Sequence, residues 1–173
     1  MNRKELIRQL DLDLVNNKGL LSQEEEQRYI EMVAEGYDAP DPEQGQEEEP
    51  LPVELIRLHK ILRLKARDAS PEVNSFILGG QSTWIDPYRR ANYYRAIEAK
   101  KKKGDQTVAL DQIELPIDMA AAALDAIEAY AADCKTATDR HEDAIRQLRT
   151  AEEIEAYDIT TGYPAILNFN KEG

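Results

Sequence analysis

The chain has 173 residues, 42% of them hydrophobic and 32% charged, with a net charge of −12 and a single cysteine. These numbers fit one domain, or one domain with a helical extension, and exclude an internal disulfide framework. No apolar run approaches the ~20 residues of a membrane span, and the charged start MNRKELIRQLDLDL has no apolar h-region, so secretion by a signal peptide and membrane insertion are not expected.

Residues 2–16 place Leu6, Ile7, Leu10 and Leu14 at helical spacing, with Gly19 as a stop. Ser22 and Glu25 have capping-box spacing and open a second helix over 23–35, ended by Gly36. Together these form an N-terminal helical arm over 1–36. Residues 37–52, YDAPDPEQGQEEEPLP, contain four prolines and no basic residue and read as an acidic linker. The third and largest part, 53–173, reads as an α+β module.

That module opens with a helix over 53–67, VELIRLHKILRLKAR, whose wide apolar stripe includes Leu55, Leu58 and Leu62 among scattered basic residues. Such a stripe can pack on two sides, lie on a membrane surface or dimerise. Residues 73–86 alternate weakly about Gly79-Gly80, which supplies positive φ for a hairpin turn. Asp86-Pro87 starts a helix that runs to Gly104. Residues 106–115 suggest two short strands about Asp111-Gln112. The expected fold class is therefore mostly helical α+β, with a small antiparallel sheet packed on helices.

The longest helix is expected over 118–149. Leu124, Ile127, Ala131, Cys134, Thr138, His141, Ile145 and Leu148 step alternately by three and four, a coiled-coil-like seam that turns polar at Thr138 and His141. At about 1.5 Å per residue this helix exceeds a compact domain of this size, so one end is expected to project or find a partner, including a second copy of the chain. Thr150 and Glu153 repeat the capping-box spacing, and TTGYPAILNF closes the chain as an extended tail. Trp84 is expected to be an anchor buried against that tail, with Tyr157, Tyr163 and Phe169 as its neighbours.

The search for chemistry is largely negative. There is no GxxxxGK[ST] or GxGxxG loop, and two histidines with one cysteine allow no Cys/His metal site at usual spacing. No catalytic constellation and no cofactor are indicated. Charge is unevenly spread: residues 55–104 carry +8 and residues 105–173 carry −10. YRRANYYRAIEAKKKK at 88–103 interleaves tyrosines with cations, as a nucleic-acid surface does, but the acidic segment that follows can cover it. Nucleic acid is not the expected partner.

Four strings carry a resemblance: VNSFILGGQSTWID (73–86), IELPIDMAAAALDAIEAYAADC (113–134), His141, and EEIEAYDITTGYPAILNF (152–169). Together they resemble an uncharacterised domain family common in phages and prophages of gut bacteria. Its members are often encoded near tail-fibre genes or described as tail-fibre or tail-fibre-assembly proteins. The likeness covers about 70–173 and brings no catalytic residues. It implies a small α+β module and a non-enzymatic structural or assembly role, in the virion or in the host cytoplasm during assembly. The implied partners are other phage structural proteins. Read from the residues rather than from the resemblance, the candidate contact surfaces are the 1–36 arm, the third helix with Leu55, Leu58 and Leu62, and the polar end of the seam at Thr138 and His141. The alternative is an acidic, host-directed effector that mimics DNA.

Overall fold

The computed structural model of the protein describes residues 3–39 and 49–169. Most of the acidic linker, residues 40–48, lies outside the described residues. The chain divides into two compact units, Met1–Ala66 with Thr138–Thr161, and Arg67–Ala137 with Gly162–Gly173. Helices dominate both, and the strands are short, so the fold is mostly helical α+β. The division differs from the one read in the sequence, because the 53–67 helix clusters with the arm rather than with the segment that follows it.

The first unit is helical. Helix α1 spans Arg3–Asn16, α2 Gln23–Asp38 and α3 Val53–Asp68. Ser22 caps α2 through a complete capping box with Glu25. Gly36 does not end α2: a Cβ there would lie 2.5 Å from Ile7 Cδ1, so the glycine provides a close approach of α1 and lets the helix continue through it. Tyr29 is fully buried, and its hydroxyl donates to the Leu10 carbonyl at 3.0 Å.

The stripe of α3 is the middle of this core. Leu55, Leu58 and Leu62 are buried with Ile7, Ile145 and Ile154. Burial of a leucine side chain stabilises by roughly 1.5–3 kcal/mol, which a free stripe would forgo. The scattered cations also have local duties. Arg57 donates to the Leu148 carbonyl at 2.9 Å, Lys60 to the Glu155 carbonyl at 3.1 Å, and Lys65 pairs with Glu142 at 3.2 Å.

The second unit begins with a short helix, α4 (Pro71–Asn74), which occupies positions expected to start a strand. Strands β1 (Phe76–Leu78) and β2 (Gln81–Thr83) then pair antiparallel, with Leu78 opposite Gln81. Gly79 and Gly80 both have positive φ, as a two-residue hairpin turn requires. Helix α5 spans Pro87–Lys103, capped by Asp86 and ended by Gly104 in the left-handed region. Strands β3 (Thr107–Leu110) and β4 (Ile113–Pro116) make a second hairpin, separate from the first. The tail lies beside β1: Ile77 N–H donates to the Leu167 carbonyl at 2.8 Å, and Phe169 N–H to the Ile77 carbonyl at 3.0 Å.

Helix α6 spans Ile117–Gln147, and α7 spans Ala151–Ala156 behind a capping box at Thr150. Residues of α6 up to Ala137 belong to the second unit and those from Thr138 to the first. The three–four seam is an internal core in each: Leu124, Ile127 and Cys134 are buried in one, His141 and Ile145 in the other. It is therefore not free to pair with a second copy.

Candidate functional site

In the second unit, a cleft of about 470 Å³ lies against Trp84. That volume is in the range of small-ligand sites. Its position follows from local rules. Trp84 and Ile85 are adjacent residues leaving β2, and successive side chains of an extended chain point to opposite sides. Ile85 is fully buried, so Trp84 faces outward and is only half-buried.

The backbone beneath the indole is held firmly. Asp86 accepts from the Arg89 amide at 2.9 Å as the N-cap of α5. Arg90 turns back from the same helix to donate to the Ile85 carbonyl at 2.8 Å and, through Nε, to Glu128 at 2.8 Å. Opposite, α6 contributes Glu128, Ala131, Ala132 and Lys135, which fall on one helical face. The two alanines leave the space that larger residues would fill. Asp68, Asn74 and Asp86 complete the charged and polar lining. Asn74 donates to the Asp68 carbonyl, while its own Oδ1 is buried without a partner.

Trp84 thus departs from the expectation that it would be an anchor buried against the tail. No residue of 157–169 lines its cleft. The tail is received by Phe76, whose ring meets Phe169 edge-on with centroids 6.0 Å apart. Tyr163 packs by the Val73, Tyr130 and Cys134 cluster and lies under the Arg67 guanidinium at 5.8 Å. Gly79 has two roles: its φ is +59°, and a Cβ would come within 2.8 Å of Ile113. A second, apolar cavity of about 420 Å³ lies there, walled by Leu78, Ile113, Leu115, Met119 and Phe169.

The expected partner-contact residues are interior. Leu55, Leu58, Leu62 and Thr138 are each no more than 1% exposed, so they are unavailable to a partner of the folded chain. His141 is 9% exposed and is a bonded structural group. Its Nε2 lies 2.8 Å from the Thr161 carbonyl, which can only accept, so Nε2 carries the hydrogen. Nδ1 then accepts from the Tyr157 hydroxyl at 2.9 Å, and the two rings stack edge-on. Cys134 is fully buried with Sγ 3.6 Å from the Val73 carbonyl, and burial raises its thiol pKa.

Among the described residues, four of the seven cations of helix α5 are paired within its own unit. Arg89 pairs with Asp111, Arg90 with Glu128, Lys100 with Asp105 and Lys101 with Asp118. Tyr94 donates to Asp125 at 2.8 Å, and the Tyr93 hydroxyl accepts from the Asp111 amide at 3.0 Å. Only Tyr88 among these tyrosines is widely exposed, at 75%. Among the described residues no cluster of histidine, cysteine and carboxylate side chains could hold a metal ion, and no helix is long and apolar enough to cross a membrane.

Compared with known proteins, the chain matches no family model, no curated protein and no solved structure.

Proposed function

We propose that the protein is a non-enzymatic binding protein that works by protein–protein contact, as a tail- or tail-fibre-associated phage component or as an assembly factor for one. The observation that supports contact at a defined place is the half-exposed Trp84 over a cleft whose floor is fixed by Asp86 and Arg90. A tryptophan held on a rigid corner is the kind of residue that carries interface energy. The phage setting rests on the resemblance of 70–173 alone.

A structural component appears in mass spectra of purified particles at a fixed ratio to tail proteins. An assembly factor is absent from particles but co-purifies with the fibre protein. Absence from both overturns the proposal. In the same co-purification, Trp84→Ala is expected to weaken capture at least tenfold.

The alternative is an acidic host-directed effector. It draws on the net charge of −12. That reading requires a basic host protein as partner and capture that collapses as salt rises.

A further inference from the structure

We infer that the Trp84 cleft receives an arginine side chain presented by the partner protein. This rests on the reading of the cleft as a protein-contact site and names what enters it. Three carboxylates, Asp68, Asp86 and Glu128, and two cations, Arg90 and Lys135, line the cleft beside one indole, an excess of one negative charge. Its most buried cation, Arg90, already spends Nε on Glu128 and Nη1 on the Ile85 carbonyl. The lining therefore offers an aromatic face and a small negative excess, with the second oxygens of Asp86 and Glu128 beyond those that Arg89 and Arg90 engage. A guanidinium matches both parts: it is planar, weakly hydrated, stacks on an indole and carries five donors in a fork that fits carboxylates. Ala69, Pro87, Ala131 and Ala132 supply apolar walls along which the three methylenes of an arginine stem can lie. A saccharide also stacks on tryptophan, but it carries no charge to answer the negative excess of the lining.

Trp84 is the only tryptophan of the chain, so its emission reports the cleft directly. The full chain is titrated with acetyl-Gly-Arg-Gly-amide, with the same peptide carrying citrulline, and with methyl α-glucoside. The expected result is a saturable change with the arginine peptide, at least tenfold weaker with the uncharged citrulline peptide, and weaker still as sodium chloride is raised. Ala132→Leu fills the wall from an exposed helical position and is expected to abolish the response while leaving thermal unfolding unchanged. Equal binding of the two peptides, preference for the glucoside, or no response up to about 10 mM peptide, the weak end of measurable affinity, overturns the assignment. The two readings fail separately. If Ala132→Leu abolishes capture of the fibre protein but the arginine peptide does not bind, only the guanidinium is wrong. If capture is untouched by Ala132→Leu, the cleft is not the contact site.

Discussion

Glu25 shows how much one side chain can be asked to do. It closes the capping box of α2 by accepting from the Ser22 amide at 3.0 Å, and it pairs with Arg146. Burial alone would raise its pKa, but the Arg146 guanidinium and the Ser22 hydrogen bonds outweigh that and hold it at about 2. The folded-state value lies below the ordinary 4.5, so the contribution is complete above pH 4.5 and is lost as pH falls toward 2. Glu25→Gln is expected to cost about 1 kcal/mol at neutral pH, a figure discounted for the solvent exposure of Arg146. Urea unfolding at pH 7 and pH 2 checks this, and the two proteins should converge in acid.

His59 works in a different window. Burial lowers its pKa, Arg63 and Lys60 add to that, and the 2.8 Å contact of its Nε2 with Asp13 opposes it. The folded state therefore takes up a proton less readily than the unfolded chain. Its contribution is complete above the ordinary 6.5 and falls away below it. His59→Gln is expected to flatten the pH dependence of stability between pH 7 and pH 5, measured by thermal unfolding. At this scale the sequence was legible where bonding is local: the Ser22–Glu25 and Thr150–Glu153 boxes are both complete. It was not legible at Trp84, because two neighbouring apolar residues compete for one inward direction. Only the packing of Ile85 decides which turns out.

The elements formed largely where periodicity placed them, and the departures occur where one residue type serves two purposes. Gly36 carries the signature of a helix end but answers a close approach to Ile7. Gly36→Ala is expected to cost about 1–3 kcal/mol by overpacking a buried contact, read as a shift in the urea midpoint. The Asp111-Gln112 turn departs the other way: both residues adopt positive φ, 44° and 74°, where glycine is favoured. Asp111 is committed to Arg89, whereas Gln112 is exposed. Gln112→Gly is therefore expected to raise stability by about 0.5–1 kcal/mol, observable as a higher unfolding temperature. The leucines of α3 and the seam of α6 read as contact surfaces because periodicity identifies an apolar face without naming its partner. The partner in each case is another part of the same chain.

For the molecule as a whole, what sequence reading misses is the order in which segments combine. The acidic linker looks like a boundary, yet α2 and α3 on either side of it share one core. The compact units instead exchange segments, so that Ile145 and Ile154, far along the chain, complete a core begun at Ile7. A fragment ending at residue 66 lacks both isoleucines and is expected to lose cooperative urea unfolding, whatever its residual helicity by circular dichroism.

The same interleaving constrains synthesis. A ribosome releases this chain from the N-terminal side, and each unit waits for a late segment: the first for residues up to Thr161, the second for the tail that bonds Ile77. Ile7, Leu10, Tyr29 and Val33 are made before the α3 leucines they pack with, but Ile145 and Ile154 come late, so the part of the leucine face that these two cover stays open until they are made. During that interval the open part is a natural target for chaperone capture or for misassociation with neighbouring nascent chains.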